Sequence, residues 1–126
     1  MAYSTDSAAG KTVQEIINSL PSLMAVAVVD IASGMALASH SNVPSLNPET
    51  AAAYNTEVVK QKMKAMSALK LTNEKIEDIL MTLSSQMHLI KLTDDGKKFI
   101  YLVASTRDTN LAIARDVVRQ SAMQLN

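Results

Sequence analysis

The sequence predicts a three-layer α/β/α sandwich with a five-stranded antiparallel sheet, in the order α-β-β-α-β-β-β-α. Two short runs, MAVAVV at residues 24–29 and FIYLVA at residues 99–104, are continuously apolar, which is typical of strands buried on both faces. Such strands need helices on both faces of their sheet. Turn sequences between neighbouring strands predict hairpins, and hairpins predict antiparallel pairing. The length of 126 residues is that of one domain.

A tail and a helix are predicted at the start of the chain. Residues 1–10 are small and polar, and they are expected to form a disordered tail ahead of a single domain over residues 11–126. Thr12 and Glu15 match the S/T-x-x-E capping box, which marks the beginning of many helices. Pro21 has no backbone N–H group, so the helix is expected to end before it.

A β-hairpin and a long helix follow. The strand at residues 24–29 is joined to a returning strand at residues 35–39 by the sequence DIASG, whose Gly34 can adopt a positive φ. The tripeptide Asn47-Pro48-Glu49 combines a capping side chain, a proline at the first helical position and an acid in the first turn. We therefore expect a helix from residue 47 to about residue 69.

Three strands and a helix are predicted in the second half of the chain. Strands over residues 76–84 and 87–93 precede the turn Asp94-Asp95-Gly96. The apolar run at residues 99–104 is expected in the middle of the sheet, beside the first strand. A last helix is expected over residues 110–124, where apolar residues recur at helical spacing.

The long helix has an unusually wide apolar arc. It spans about half of the circumference, more than the roughly 100° stripe that a helix needs to sit on one surface. We expect burial from two directions, by its own sheet and by a partner, and the alternative is one broad, alanine-rich contact within the chain. One side of the arc holds Ala51, Tyr54, Val58, Ala65 and Leu69. The other side, together with the two polar residues between the sides, is the candidate partner surface: Ala52, Asn55, Val59, Lys62, Met63 and Met66.

Composition excludes several classes of function. Twelve basic and twelve acidic residues cancel, so the chain lacks the excess positive charge with which proteins bind nucleic acid. It has no cysteine for disulfides or thiolate metal sites. The longest apolar stretch, residues 23–29, is too short to span a membrane, and no signal peptide is recognised. We expect a cytoplasmic protein.

No motif predicts catalysis, a cofactor or a metal ion. Gly10-Lys11-Thr12 resembles the end of a phosphate-binding loop, but the required earlier glycine is replaced by Thr5 and no strand precedes it. The two histidines, His40 in a predicted loop and His88 in a predicted strand, are far apart and lack metal-site spacing. Asp94-Asp95 is explained by turn formation before Gly96. The chain is therefore not expected to be an enzyme.

Three segments together resemble the Roadblock/dynein light chain (Roadblock/LC7) family over residues 12–125. They are MAVAVVDIASGMALAS at residues 24–39, EDILMTLSSQMHLIKLT at residues 77–93 and FIYLVASTRDTNLAIARDV at residues 99–117. Within the last of them, NLAIAR at residues 110–115 is the most specific stretch. The resemblance lies in the combination of apolar spacings, since no single motif is diagnostic.

The resemblance implies a Roadblock/profilin-like sandwich with the long helix on one face of the sheet and the terminal helices on the other. It also implies a homodimer in which the long helices pack together and the third strands pair edge to edge. Ile79, Met81 and Leu83 would then lie near an edge that pairing protects. Members of this family are scaffolds, some for dynein intermediate chains and others for small Ras-like GTPases, including bacterial polarity and gliding GTPases. No catalytic residue is carried over.

The leading hypothesis is a non-catalytic homodimeric interaction module that serves as adaptor or regulator of a small Ras-like GTPase or a motor or motility complex. Two alternatives stay open: a small-molecule sensor or enzyme, and a structural component of a motility or secretion machine. The expected partners are a second copy of the chain and a GTPase or motor-complex subunit. Nucleic acid, membrane and cofactors are not expected.

Overall fold

The computed structural model describes residues 3–125 and contains three helices and five strands. All strand pairs are antiparallel, and the strands lie in the order β2-β1-β5-β4-β3. In chain order, the elements are α1 (Ala8–Ser19), β1 (Leu23–Asp30), β2 (Ala36–Ser41), α2 (Pro48–Ala68), β3 (Ile79–Thr82), β4 (Gln86–Leu92), β5 (Lys98–Ser105) and α3 (Leu111–Met123). The predicted element order and the predicted pairing of the two most apolar strands are confirmed.

The central strands β1 and β5 are buried on both faces, as their continuously apolar sequences predict. One face packs against α1 and α3, with Val26, Ile100 and Leu102 among the buried sheet residues. The other face packs against α2 and includes Phe99 and Tyr101. Because side chains alternate along a strand, neighbouring residues of β5 serve the two cores in turn. The chain is therefore a three-layer α/β/α sandwich.

Helix α1 begins earlier than predicted. Ser7 is the N-cap, and its hydroxyl accepts a hydrogen bond from the backbone N–H of Gly10 at 2.9 Å. Ala8–Gly10 therefore form the first turn of α1, which corrects the last three residues of the tail predicted over residues 1–10, and residues 1 and 2 lie outside the described part. Thr12 is buried within the helix and does not cap it. A serine upstream of the expected capping box supplies the same chemistry.

Helix α2 begins as predicted. The Asn47 side chain accepts from the N–H groups of Glu49 and Thr50 at 3.0 and 3.1 Å, and Pro48 occupies the first helical position.

Two other boundaries differ from the predictions. The third strand is only four residues long, Ile79–Thr82, because the preceding residues form an irregular segment. His40 lies in β2 and not in a loop.

Candidate partner surface

One stripe of α2 packs on the sheet of its own chain. Ala52, Thr56 and Val59 are buried there at helical spacing, and Met63 continues the line half-buried against the same core. The Thr56 hydroxyl donates to the carbonyl oxygen of Ala52 at 2.7 Å, so this polar group is satisfied within the helix. Small side chains at Ala52 and Thr56 let the helix approach the sheet closely.

The predicted placement of Ala52 and Val59 on a partner surface is wrong. Both side chains are 0% exposed and belong to the core between α2 and the sheet. Met63 also packs mainly against this core. The helical period shows that two apolar stripes lie side by side, but it does not tell which stripe faces the sheet.

The second stripe of α2 is exposed. Tyr54 is 74% exposed, Val58 41% and Leu69 70%. Lys62 lies on the same flank and is exposed, whereas Asn55 and Met66 are half-buried where the flank meets the sheet-facing stripe. Tyr54 and Val58 were not among the predicted partner residues, although the width of the apolar arc indicated that both stripes exist. Clustered exposed apolar side chains of this kind mark interaction sites.

Strand β3 brings a second apolar group to the same side of the molecule. It forms one edge of the sheet, and its register pairs Ile79 with Ile90 and Met81 with His88. Ile79 packs half-buried beside the α2-side core, and Met81 and Leu83 are exposed. The outer side of β3 has no strand partner among the described residues, so its backbone groups are available for pairing.

The exposed flank of α2 and the α2-facing side of β3 together form what we call the α2–β3 surface. Its members are Tyr54, Asn55, Val58, Lys62, Met66, Leu69, Ile79, Met81 and Leu83. Six of the nine predicted partner residues are members of this surface, and Met63 packs half-buried against the core beside it. Ala52 and Val59 lie beneath it.

A polar chain in the sheet connects the two parts of this surface. Tyr101 on β5 places its hydroxyl 2.8 Å from Nδ1 of His88 on β4, and the two rings lie 5.7 Å apart. The other ring nitrogen of His88, Nε2, lies 2.7 Å from the side-chain oxygen of Gln86. Asn55 of α2 lies near the Tyr101 hydroxyl and donates its amide N–H to the carbonyl oxygen of Ala51 at 2.8 Å, and Met81 of β3 lies beside His88.

Burial favours the neutral forms of both ring groups. It lowers the pKa of the His88 imidazole below its ordinary value, and burial is the cause of that shift. Burial also raises the pKa of the Tyr101 phenol, and the nearby Asn55 side chain opposes this rise. Tyr101 is only 2% exposed, whereas His88 is half-buried. Of these two titratable groups, His88 is therefore the one that water still reaches.

A cavity of about 330 Å³ opens at the carboxyl end of α2. Its apolar lining comes from α2, from the irregular segment before β3 and from β4: Met63, Met66, Leu71, Ile76 and Leu92. Charged residues surround the opening, among them Glu74, Lys75 and Lys91. Lys91 is held in place by donating to the carbonyl oxygen of Glu77 at 2.8 Å.

Two kinds of site are absent from residues 3–125. Within that range, no group of three or more histidine, cysteine, aspartate or glutamate side chains is placed to hold a metal ion. Over the same range, no helix combines the length and apolar character that a membrane crossing requires.

No sequence model of a protein family matches the chain, and no curated protein matches it. Solved structures do match. A Roadblock/LC7 domain from Streptomyces avermitilis superposes with a TM-score of 0.75 at 11% identity, covering 91% of this chain and 92% of that chain. The gliding protein MglB from Thermus thermophilus superposes with a TM-score of 0.73 at 15% identity, covering 94% of this chain and 85% of that chain.

A third structure, described as MglB with a tetrameric arrangement, superposes with a TM-score of 0.74 at 16% identity and covers 98% of this chain and 91% of that chain. These likenesses extend over almost the whole chain. The chain therefore has the Roadblock/LC7 fold, and the resemblance expected from the sequence is confirmed at the level of the fold.

Proposed function

We propose that the chain is a homodimeric interaction module that pairs through its α2–β3 surface and serves as adaptor or regulator of a small Ras-like GTPase in a motility complex. The observation that carries the proposal is the exposed apolar flank of α2, which lies on the same face of the sheet as the apolar side chains of the edge strand β3. Tyr54, Val58 and Leu69 on the flank and Met81 on the strand would all be removed from water by one partner. That burial is the main driving force of most protein association.

The flank of α2 is complementary to itself, which favours a second copy as its partner. A two-fold axis between Gln61 and Lys62 would pair antiparallel helices so that Tyr54 meets Leu69 of the second copy and Val58 meets its Ala65. Large side chains then face aliphatic ones of different size, as interdigitated packing requires. An isologous contact of this kind uses the same patch on both copies and closes as a dimer.

The solved structures support self-association and a role in motility. One is described as having a tetrameric arrangement, and another as a gliding protein. The small Ras-like GTPase as a partner follows from the resemblance to the Roadblock/LC7 family, where scaffolds for such GTPases occur. Because the chain has no proposed catalytic residue, its effect on a GTPase would come from binding and positioning.

The experiment that tests the dimer is light scattering on a size-exclusion column with wild type and Val58→Asp. An unpaired carboxylate buried in the interface costs about 3–5 kcal/mol, so dimer affinity should fall at least about 100-fold. Ile113→Asp is the matched control, because Ile113 is 55% exposed on α3 at the opposite face of the sheet. We expect a dimer for wild type and for Ile113→Asp and a monomer for Val58→Asp.

A wild-type monomer at micromolar concentration, or equal weakening by both substitutions, would contradict the proposal. The partner is tested by titrating a small Ras-like GTPase from the same organism, loaded with GTP or with GDP, into each dimeric variant. Binding that depends on the bound nucleotide supports a regulator, and absence of binding in both states contradicts the GTPase part alone.

A small-molecule sensor is the second candidate, because the cavity at the end of α2 is within the size range of ligand pockets. It predicts that a small apolar molecule raises the melting temperature of the protein. Ile76→Trp would fill this cavity and should abolish that increase while leaving the oligomeric state unchanged. A metabolite screen without a single stabilising compound would argue against this candidate.

A further inference from the structure

We propose that His88 makes the homodimer sensitive to acid, so that the dimer forms while the imidazole is neutral and separates as the ring takes up a proton. This inference rests on the proposed dimer through the α2–β3 surface. It adds a regulatory group to that surface, within the pH range in which histidine titrates.

The position of His88 places it under the proposed contact. Its neighbours Met87 and Leu89 belong to the core shared with α1 and α3, so alternation along β4 directs His88 to the opposite, α2-facing side. There it pairs across the sheet with Met81 of the edge strand. A second copy that covers Met81 and the flank of α2 would also cover the half-buried imidazole.

The hydrogen bonds of His88 fit the neutral ring. In that form Nε2–H donates to the Gln86 oxygen at 2.7 Å, and Nδ1 accepts from the Tyr101 hydroxyl at 2.8 Å. A protonated ring carries a donor on both nitrogens. Tyr101 would then have to accept from Nδ1 and redirect its own hydrogen within a site that is almost fully buried. The contacts are complete in the neutral state and must be rearranged in the charged state.

The groups that face His88 offer no negative charge to compensate a proton. From β3 the facing residues are Ile79 and Met81, which are uncharged, and from β5 the titratable group is Tyr101, whose hydroxyl is in direct contact. From α2 the uncharged Asn55 lies near the Tyr101 hydroxyl, and no charged side chain contributes to the pKa of His88. Burial lowers the pKa of His88 already in the single chain. Exclusion of water by a second copy would lower that pKa further.

The direction of the effect follows from linkage. If the pKa of His88 is lower in the dimer than in the monomer, dimer formation releases protons and a fall in pH opposes it. A group excluded in its charged form changes affinity by up to about tenfold per pH unit below its pKa, and a two-fold dimer holds two such groups. We expect the dimer dissociation constant to rise several-fold between about pH 7.5 and about pH 5.5, mostly at the acidic end of this range, because the pKa of His88 in the single chain already lies below its ordinary value.

Two histidine variants and the wild type test this inference by sedimentation velocity over a dilution series at about pH 7.5 and about pH 5.5. His88→Gln keeps hydrogen-bonding ability without a titratable ring, and it should remove the pH dependence. His40→Gln is the matched control, because His40 lies on β2 at the far edge of the sheet and bonds to Asn42 at 2.7 Å. The control should keep the full dependence, and these two are the only histidines of the chain.

The readout is the ratio of dissociation constants at the two pH values, so a change in affinity caused by the glutamine itself does not affect it. Circular dichroism at both pH values accompanies each measurement, and a folded monomer at the lower pH is the expected state. A pH-independent dimer, unchanged dependence in His88→Gln or acid unfolding of the wild type would overturn the inference and leave the proposed dimer standing. A wild-type monomer at both pH values would overturn both.

Discussion

Adjacent valines of α2 allow a direct test of which stripe of the helix packs on the sheet. Val59 is 0% exposed in the core beneath α2, and Val58 is 41% exposed on the flank that we assign to a partner. Replacing each valine by alanine removes the same two methyl groups from the same helix. Any difference between the two variants therefore reports their surroundings and not the chemistry of the substitution.

The expected magnitudes follow from burial. Loss of two buried methyl groups at Val59 costs about 1.6 kcal/mol in transfer free energy. The remaining cavity adds about 1 kcal/mol, and the better helix propensity of alanine returns about 0.5 kcal/mol. The net loss for Val59→Ala is about 2 kcal/mol. In the monomer, Val58→Ala should change the free energy of unfolding by no more than about 0.5 kcal/mol, because the side chain is partly in water already.

Urea denaturation at two protein concentrations about 100-fold apart, one below and one above the dimer dissociation constant, measures both quantities. The Val59→Ala loss should be the same at both concentrations, since it belongs to the monomer. The Val58→Ala loss should be small at the low concentration and grow at the high one. Equal losses for the two variants at low concentration would refute the assignment of the stripes.

Three further substitutions test local features of the chain. Gly34 has a φ of 74°, so Gly34→Ala should destabilise the protein by about 1 kcal/mol and lower its melting temperature, and an unchanged temperature would contradict this. Lys70 has a φ of 58° just after α2, so Lys70→Gly should raise the free energy of unfolding by about 0.5 kcal/mol, and a loss in urea denaturation would contradict the reasoning. Hydrogen bonds from the side chain and then the backbone of Ser33 lower the pKa of Asp30, and the stability they confer is lost as pH falls below 3.8. Ser33→Ala should move this pKa back toward its ordinary value in an NMR titration, and no upward movement would contradict it.

Most of the fold could be predicted because several local signals agree. The runs MAVAVV and FIYLVA are apolar at every position, and this pattern places them in the centre of the sheet, where β1 and β5 lie. Asn47 and Pro48 define the start of α2 by chemistry that acts within one turn. The start of α1 was missed because both Ser7 and Thr12 are good caps. When the helix begins after Ser7, Ala9 lies within it and is buried in the core, and this tertiary contact cannot be seen from the capping pattern.

The edge strand was predicted too long for a related reason. Ile76 is predicted as the beginning of an apolar pattern that continues into β3, but Ile76 lines the cavity at the end of α2 and Asp78 pairs with Arg115 of α3 at 2.9 Å. These tertiary contacts take the segment away from the sheet. Sequence pattern alone carries no information about such contacts, so strand ends at an edge are the least predictable boundaries.

The size of side chains decides which stripe of α2 faces the sheet, and this information was present in the sequence but lies outside periodicity. Beneath α2 the sheet already presents the bulky Phe99 and Tyr101, so the space left for the helix is small. Ala52 and Thr56 fit that space, whereas Tyr54 on the sheet side would push the helix outward and open voids along its length. Tyr54 is therefore left on the outside, together with the stripe to which it belongs. When a helix has two apolar stripes and the core of its own chain can accommodate only one, the other stripe is the candidate contact with a partner.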